Sequence, residues 1–494
     1  MGNGDISPLT AVLPELGLLA LAAIILVLDL FWDRKARANL GWVTAGGLLL
    51  VAVLSVFMAQ PPETPTLIWG GMLRLDGASF VFRMIFLAGA AITALMVSEN
   101  QRLSAQGEFY ALMLVSTLGM SLMASAADLV MLYLAIETTS IPLYILSGFL
   151  LRDQKSVEAG LKYLLYGAMT SAVMLYGFSL LYGFTGTTQI YDIAAGFSGQ
   201  NGLPAVYPAA VIGAMLLVLV GFGFKVSAAP FHFWAPDVYE GAPTAVAGFL
   251  STASKAAGFV VLMRVLSAAF SDQALVWSGV VAALSIGSMV VGNFLALAQK
   301  NIKRLLAYSS IAQAGYMLIG VAAAGAGGES LPYTATTYYL LAYLATNLAA
   351  FGVVAAVSRL TGSEQIADYR GLNQRAPGLS LALAVAVLSL GGIPPFAGFF
   401  GKVVVFASGI QAGLTWLVII GILNAVVGLY YYLTVLRVVY QRAEEVEGET
   451  PLAIPAAWKT AAVLSAAGIV AIGVLFLPWY NLSMQAASSL LTFR

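Results

Sequence analysis

Long apolar runs separated by short polar segments dominate this sequence. A helix needs about 20 mainly apolar residues to cross the hydrocarbon core of a bilayer, and on that criterion the pattern predicts fourteen membrane-spanning helices, numbered spans 1–14. They cover residues 10–32, 40–60, 80–98, 109–126, 128–150, 158–184, 206–231, 243–269, 275–298, 303–324, 333–360, 378–410, 413–439 and 456–483. The pattern therefore predicts an all-α polytopic membrane protein.

Composition supports this class. Of 494 residues, 60% are hydrophobic and 9% are charged, whereas about 25% are charged in an ordinary soluble domain. The 23 basic and 23 acidic residues cancel, so the net charge indicates neither a nucleic-acid partner nor an acidic substrate.

The residue types present also exclude several kinds of chemistry. With no cysteine and one histidine, His232, the chain cannot hold a thiolate-bound iron–sulfur cluster, a bis-histidine haem or a usual zinc site. The GxxxxGK[ST] motif of ATP-driven proteins is missing as well. We therefore expect no cofactor and no metal in this chain, and any electron transfer must take place elsewhere.

Lysine and arginine are distributed unevenly over the predicted loops. Loops that follow odd-numbered spans carry Arg34, Lys35, Arg37, Arg102, Arg152, Lys155, Lys162, Lys300, Lys303, Arg304, Arg359, Arg370, Arg375, Arg437, Arg442 and Lys459. The opposite side carries Arg74, Arg264 and Arg494, and Arg83 is expected to extend its side chain to the interface from a nearby helix start. Because basic loops stay in the cytoplasm, both termini are predicted on the non-cytoplasmic side.

Residues 221–244 form the most unusual stretch of the chain. Lys225 lies inside span 7, where a cation in hydrocarbon costs about 2.5–3.5 kcal/mol on insertion scales, so it is expected to face protein or water. Pro230 follows in the same span, and a proline removes a backbone donor and interrupts a helix. A broken helix that carries a buried lysine indicates an ion path.

Three further ionisable residues lie deep within spans. They are Glu137 in span 5, Lys255 in span 8 and Lys402 in span 12. Prolines accompany two of them, and the positions expected to break helices are Pro142, Pro230, Pro394 and Pro395. Span 12 thus repeats the design of span 7, with small residues, prolines, phenylalanines and a lysine.

The spacing of these features predicts an internal repeat. Lys225 and Lys402 are separated by an offset that also carries span 5 roughly onto span 10 and span 8 onto span 13. Two five-helix units, spans 4–8 and 9–13, explain this offset, and the second must be inverted because five is odd. The predicted division is residues 1–106 for spans 1–3, 107–270 and 271–442 for the two repeats, and 443–494 for span 14.

The buried residues suit proton transfer. An amine in a low-dielectric site gives up its proton more readily, and a nearby carboxylate reverses that effect. If Glu137 approaches Lys225 the lysine is held charged, and if Glu137 moves away the proton is free to leave, so the pair is interpreted as a valve. Lys255 and Lys402 are interpreted as further steps along the path.

Other polar residues have two interpretations. His232, Asp237 and Glu240 follow the break in span 7 and are either a proton relay to the cytoplasm or partners in loop-stabilising hydrogen bonds. The tyrosine run at residues 430–432 is interpreted as packing.

Four stretches resemble the antiporter-like subunits of respiratory complex I, the proton-pumping NADH:quinone oxidoreductase. They read GFGFKVSAAPFHFWAPDVYEGAPT from Gly221, YLAIETTSIPLYIL around Glu137, KRLLAYSSIAQAGYMLIG from Lys303 and GGIPPFAGFFGK up to Lys402. Of three paralogous types the chain is most similar to the N type. Its opening PELGLLALAAIILVLDLF resembles that type's first helix, Lys402 stands where the M type usually has glutamate, and the L type's lateral helix is not found.

This resemblance implies a function and partners. It implies proton-path roles for Glu137, Lys225, Lys255 and Lys402 in a membrane-arm subunit that is driven by redox chemistry in other chains. FMN, iron–sulfur clusters and quinone are then expected in partner subunits. The resemblance also implies an M-type neighbour on one side, small membrane subunits on the other, surrounding lipids and no nucleic acid, in a bacterial inner membrane.

Two other functions remain open at the level of sequence. A cation/proton antiporter subunit of the Mrp type shares this helix plan and exchanges sodium for protons without a redox partner. A structural membrane-arm scaffold, with its lysines locked in fixed interactions, is the second alternative. Co-purification with redox subunits distinguishes the first, and pumping by lysine variants distinguishes the second.

Overall fold

The computed structural model describes residues 8–98, 100, 103–200, 202, 205–442 and 452–492. Within these residues, 13 helices are long and apolar enough to cross a membrane, and two shorter apolar helices follow one another at Pro377–Gly391 and Ala397–Gln411. Counted as one interrupted span, the two short helices complete the fourteen predicted. The protein is a multi-pass membrane protein with an almost entirely helical fold.

The spans are labelled α1–α14 in chain order. They are α1 Leu13–Phe31, α2 Leu40–Met58, α3 Gly77–Ser98, α4 Gly107–Ser125, α5 Leu129–Ser147, α6 Gln154–Thr185, α7 Pro208–Lys225, α8 Thr244–Ala269, α9 Ala274–Ala296, α10 Ile302–Gly325, α11 Leu331–Thr361, α12 with its halves Pro377–Gly391 and Ala397–Gln411, α13 Thr415–Tyr440 and α14 Ala456–Val474. The end of the bundle where the loops after odd-numbered helices lie is called the basic end.

Shorter helices lie before, between and after the spans. They are Pro8–Ala11, Arg34–Arg37, Ile193–Phe197, Trp234–Gly241, Leu372–Arg375 and Phe476–Leu491, with 3₁₀ turns at Ser271–Gln273 and Ile366–Tyr369.

Helix α7 ends at Lys225, earlier than the predicted end at residue 231. Ser227 has a φ of 59°, in the left-handed region, and turns the chain away from the helix axis. The carbonyl of Phe224 accepts a hydrogen bond from Trp234 Nε1 at 3.2 Å, so the broken helix end keeps its polar groups paired at membrane depth. Helix Trp234–Gly241, which the sequence did not predict, follows the break.

Helix α12 is interrupted at residues 392–396, which contain Pro394 and Pro395. Gly392 has a φ of 81°. In the first turn of the second half, Gly398 donates its backbone N–H to Ser389 Oγ at 3.0 Å. The predicted interruptions of spans 7 and 12 are therefore confirmed.

The prediction that Pro142 breaks a helix is wrong. Helix α5 continues through Pro142 from Leu129 to Ser147. A proline removes one backbone hydrogen bond, and here thirteen helical residues precede Pro142 and five follow it within the same continuous element. Tertiary packing of α5 against α4 and α6 keeps the two parts aligned.

Helices α8 and α10 occupy the centre of the bundle, and the most apolar stretch of each is buried inside the protein. One turn of α8, Leu250–Ser254, is a π-helix that lies directly before Lys255. Such π turns widen a helix locally and are frequent at functional sites. The local geometry of α8 thus changes beside a buried cation.

A strand pair and a terminal helix cover the end of the bundle opposite the basic end. Strands β1, Thr66–Ile68, and β2, Leu73–Leu75, pair antiparallel with Thr66 opposite Leu75. Helix Phe476–Leu491 follows α14, so span 14 ends at Val474 and the predicted end at residue 483 is wrong. Arg74 of β2 donates to the carbonyl of Ser489 at 3.2 Å, which ties the strands to the terminal helix.

The prediction that the Arg83 side chain extends to the membrane interface is wrong. Its side chain is buried in α3, and its Nη2 lies 2.8 Å from Glu15 Oε1 of α1. Ser121 of α4 donates to the same carboxylate oxygen at 2.5 Å. The pairing of a buried arginine with a carboxylate explains why the side chain stays inside, and it joins three helices.

A buried row of lysines as candidate functional site

Lys225 is the last residue of α7 and is 6% exposed. Its Nζ donates a hydrogen bond to Ser140 Oγ of α5 at 2.8 Å. The stem of the side chain lies against Gly258 of α8, where a Cβ atom would stand 3.1 Å from Lys225 Cγ. The close approach of α8 is therefore possible because residue 258 has no side chain.

Glu137 lies one turn before Ser140 on the same helix, but it does not form an ion pair with Lys225. Ser171 of α6 donates to Glu137 Oε1 at 2.6 Å. Among the described residues, no carboxylate oxygen lies within 4.0 Å of Lys225 Nζ. The structure thus contains the separated arrangement of the two groups.

A small cavity lies beside this pair, lined by Ser140, Ser171 and Lys225. The centre of a water molecule has about 10 Å³ of room in it, and a buried water needs about 10–15 Å³ of such space. Apolar residues such as Met174 and Phe222 form most of the remaining wall, and the hydroxyl groups and the ammonium give one water molecule its polar partners.

Lys255 is held by a neighbouring helix through neutral groups. Its Nζ donates to Ser310 Oγ at 2.6 Å and to the Ser310 carbonyl at 2.7 Å, both on α10. It also lies 6.0 Å from the ring centre of Tyr343, at the outer limit of a cation–π contact. In the part of the chain that the structure describes, Lys255 has no carboxylate partner.

Lys402 has the same kind of surroundings in the second half of α12. Its Nζ donates to the carbonyl of Leu390, in the first half of α12, at 2.8 Å. The ammonium lies 5.1 Å from the ring centre of Tyr316. A Cβ atom on Gly392 would stand 3.3 Å from Lys402 Nζ, so this glycine leaves room for the lysine as well as adopting a positive φ.

Polar side chains of α10 and α13 connect Lys402 toward the bundle centre. Gln313 Nε2 donates to the Leu390 carbonyl, which also accepts from Lys402, and to Tyr432 OH, each at 3.1 Å. Tyr432 OH is in turn hydrogen-bonded to Ser309 Oγ. The ring of Tyr432 packs in the core as predicted, and its hydroxyl is in addition part of a buried polar chain, which the sequence did not predict.

This polar chain reaches Lys255. Ser309 precedes Ser310 in α10, and Ser310 accepts the hydrogen bonds of Lys255. The hydrogen bonds that start beside Lys402 thus lead through Gln313 and Tyr432 to Ser309, one residue before the serine that holds Lys255. The sequence already contained a signal for this chain, since serines and a glutamine in an apolar span are costly unless they have partners.

Asp237 and Glu240 lie in helix Trp234–Gly241 at the basic end, within an ion-pair network. Asp237 contacts Lys162 at 2.5 Å and Arg304 at 2.8 Å, while Glu240 contacts Lys155 at 2.9 Å and Arg304 at 3.0 Å. Burial would raise the pKa of each carboxyl, but the hydrogen bonds from these cations outweigh burial and lower the pKa of both. Both carboxylates therefore stay charged and fasten the short helix to α6 and α10.

His232 lies in the break between α7 and helix Trp234–Gly241. The ring is buried against Phe233, and its Nδ1 has no hydrogen-bond partner among the described residues. Burial lowers the pKa of His232, against a smaller opposing effect of the Pro230 backbone. Its role as a proton relay stays a prediction.

A polar cavity of about 490 Å³ opens at the basic end beside the start of α8. Thr244, Ser358 and Glu364 are among its lining residues. Ser358 Oγ and, deeper on the same helix, Asn347 Oδ1 are buried without a partner in the described part of the chain, and such atoms are usually satisfied by water. Asn347 Nδ2 donates a hydrogen bond to Ser251 Oγ at 2.6 Å. Ser251 lies in the π-helical turn that precedes Lys255.

The atoms that hold the three lysines are oxygens of neutral groups. Over the residues that the structure describes, no three histidine, aspartate or glutamate side chains are grouped as metal ligands. What the site offers is a series of amines held by hydroxyl and carbonyl oxygens, each of which can bind or release a proton without breaking an ion pair.

The fold and the site together define an antiporter-like polytopic membrane protein with lysines buried at and between two broken helices. The family model described as NADH:quinone oxidoreductase/Mrp antiporter, transmembrane, matches residues 126–428. The chain belongs to this family, and the family predicted from the sequence motifs is confirmed.

Curated relatives cover most of the chain. It is 45% identical over 429 residues to NAD(P)H-quinone oxidoreductase subunit 2 of Trichormus variabilis, which covers 86% of this chain and 81% of the relative. It is 38% identical over 501 residues to NADH-quinone oxidoreductase subunit N of an Anaeromyxobacter species, with 96% of each chain covered.

Solved structures agree with this family. A chain of respiratory complex I from Thermus thermophilus with bound aureothin matches with a TM-score of 0.78 and 36% identity, over 95% of this chain and 98% of that one. A chain of the Mrp complex from a Dietzia species matches with a TM-score of 0.84 and 20% identity, over 99% and 98% of the two chains. The second likeness concerns the fold alone.

Proposed function

We propose that this chain is the N-type, proton-translocating membrane-arm subunit of an NADH:quinone oxidoreductase. The relatives at 38–45% identity carry the names of such subunits. The observation that carries the proposal is the row of buried lysines, connected by polar side chains and free of carboxylate partners among the described residues. The chain itself contributes no redox centre to this function, and the redox chemistry of other subunits drives it.

The proton path begins at the basic end. The orientation inferred from the basic loops makes that end cytoplasmic, and the polar cavity at the start of α8 then gives water access toward Lys255. A proton on Lys255 passes along the serines of α10 and Tyr432, and water completes the step to Lys402, because Gln313 and Lys402 both donate to the Leu390 carbonyl and not to each other. Hydroxyl groups at hydrogen-bond distance, together with water, support such a transfer.

Glu137 and Lys225 form the switch of this path. When the Glu137 carboxylate moves toward Lys225, the added negative charge favours the protonated lysine, and when the two separate the proton is released. Ser140 and Ser171 hold the two groups apart in the present structure. A movement of the Glu137 side chain toward Lys225, or a water molecule between them, couples the two groups.

The same proposal includes partners and location. Other subunits of the complex surround the chain, with an M-type antiporter-like subunit on one side and small membrane subunits on the other. FMN, iron–sulfur clusters and quinone belong to those partners. The chain lies in a bacterial inner membrane with both termini on the non-cytoplasmic side.

An Mrp-type cation/proton antiporter subunit is the alternative function. Its support is the shared fold with the Dietzia Mrp complex, whereas relatives of higher identity are quinone oxidoreductase subunits. An Mrp-type subunit would drive sodium exchange in membranes that hold neither NADH nor quinone. Proton movement that depends on quinone reduction separates the two functions.

The test is the replacement of Lys225 in the assembled complex. Lys225→Ala removes the titrating amine, so quinone-linked turnover and proton pumping should fall together while assembly persists. Lys225→Arg should also impair both, because a guanidinium does not release its proton. Lys300→Ala, at an exposed lysine of the α9–α10 loop, is the matched control. Normal pumping by a correctly assembled Lys225→Ala complex would contradict the proposal.

A further inference from the structure

A wide groove lies on the flank of the bundle, outside the lysine row. It has a volume of about 1040 Å³ and lies between the first half of α12 and α14. Its walls are almost entirely apolar and include Ala382, Val463, Ala467 and Val470, and Leu475 lies at its far end. Val463 is 58% exposed and Leu475 is 58% exposed, so the groove opens toward the surroundings of the bundle.

Two basic side chains stand at the other end of the groove. Arg375 precedes the first half of α12, and Lys459 lies in the first turn of α14. The backbone N–H of Leu452 donates to the Arg375 carbonyl at 2.9 Å, so the starts of both helices are held together at the basic end. No carboxylate lines the groove among the described residues, and neither cation has an ion-pair partner there.

We propose that the groove binds one anionic phospholipid of the leaflet at the basic end. The phosphate lies at Arg375 and Lys459, and the acyl chains extend along Val463 and Val470 toward Leu475. This inference goes beyond the proposed proton path and does not depend on it. The charge at the mouth is what distinguishes the ligand, since lipid tails alone would cover an apolar groove without any cation.

The dimensions agree with a lipid. Lys459 and Leu475 are 16 positions apart in sequence, which corresponds to about 24 Å at 1.5 Å per helical residue. One leaflet contributes about 15 Å of hydrocarbon, with the headgroup region beyond it. The groove therefore has room for both acyl chains and the headgroup of one leaflet. Guanidinium groups bind phosphate oxygens with paired hydrogen bonds, and each basic residue near an anionic surface strengthens lipid binding roughly fivefold.

The test measures lipid retention by the full-length chain. The purified chain is incubated with phosphatidylglycerol or phosphatidylcholine of the same acyl composition, and native mass spectrometry counts the bound molecules. We expect one phosphatidylglycerol to be retained in preference to phosphatidylcholine. With occupancy followed over a series of lipid concentrations, Arg375→Gln and Lys459→Gln should each weaken the affinity roughly fivefold, and the double variant roughly 25-fold.

Controls separate the groove from general lipid adhesion and from misfolding. Ala467→Phe fills the groove at an exposed position and should displace the lipid, whereas Ala172→Phe, at an exposed position of α6, should not. Arg442→Gln removes a basic residue outside the groove and should leave retention unchanged. Retention is compared only among variants whose thermal stability equals that of the wild-type chain.

Three results would overturn the proposal. Equal retention of phosphatidylglycerol and phosphatidylcholine would remove the role of the cations. Unchanged retention in both the double variant and Ala467→Phe would place the lipid elsewhere. Density for a protein helix along the groove in the assembled complex would identify a protein occupant instead.

Discussion

Gly258 provides a sensitive test of how the lysine row is positioned. A Cβ atom added at this position of α8 would stand 3.1 Å from Lys225 Cγ and 3.0 Å from Val226 Cγ1. Carbon atoms prefer separations of about 3.5–4.0 Å, so Gly258→Ala requires a displacement of about half an ångström. Because Lys225 ends α7 and Ser140 is the one hydrogen-bond partner of its tip among the described residues, the displacement should be taken up by the lysine.

The expected magnitude follows from two opposing effects. Overpacking in a filled core costs about 1–3 kcal/mol, while alanine in a helix interior gains about 1 kcal/mol over glycine. The net loss of stability is therefore small enough for the complex to assemble. A misplacement of 1 Å at a reacting group can cost about 100-fold in rate, so half that displacement should lower quinone-linked pumping roughly tenfold.

The assay compares pumping by Gly258→Ala complexes with pumping by Gly213→Ala. Gly213 lies on α7, and an added Cβ there meets no atom within 4 Å. The control should pump normally and be as stable as wild type or slightly more so. If Gly258→Ala pumps as fast as Gly213→Ala at equal assembly, close packing of Lys225 against α8 does not matter for transfer, and this reasoning is refuted.

Two further predictions concern the switch and the topology. Glu137→Gln keeps the shape and hydrogen-bonding capacity of the side chain but removes its charge, so the coupling of turnover to pumping should weaken, and Glu137→Asp should retain part of it. The measurement is the proton-to-electron ratio, and an unchanged ratio in Glu137→Gln would remove the residue from the switch. Tags at residues 152–155 and 371–375 should be accessible from the cytoplasm and a tag at 198–201 from the other side, and a cytoplasmic tag at 198–201 would contradict both the span count and the inverted repeat.

The sequence predicted the spans well because burial in lipid imposes one requirement on all of them. Every backbone group must be paired within the helix, so length and apolarity decide the element. The same requirement made Pro230 and the pair at 394–395 visible as interruptions. Pro142 does not interrupt its helix, because one lost hydrogen bond does not end a helix that neighbouring helices pack against on both sides.

The partners in the site were much less predictable. Ser140, Ser310 and Gln313 contact lysines or their ligands from other helices, and no local pattern says which helices meet. The buried pair of Glu15 and Arg83 was missed for the same reason, since it joins α1 to α3 across 68 positions of sequence. Polar residues in apolar spans reveal that partners exist, and only tertiary packing reveals their identity.

The pairing of the buried charges separates structural groups from those that can change their charge. Arg83 is paired with Glu15, and Arg264 is paired with Asp76 at 2.7 Å. Breaking a buried ion pair by removing one charge costs about 3–5 kcal/mol, and arginine stays protonated in proteins, so these groups are fixed.

The three lysines have the opposite arrangement. Each ammonium is held by hydroxyl or carbonyl oxygens, and a neutral amine can keep such hydrogen bonds. Losing a proton then leaves no stranded carboxylate behind. Moving one proton against 100 mV requires about 2.3 kcal/mol, which is less than the cost of breaking a buried pair. A step that left a buried carboxylate without its partner would add the cost of a broken pair to this amount, and in the present structure Lys225, Lys255 and Lys402 can each lose a proton without that added cost.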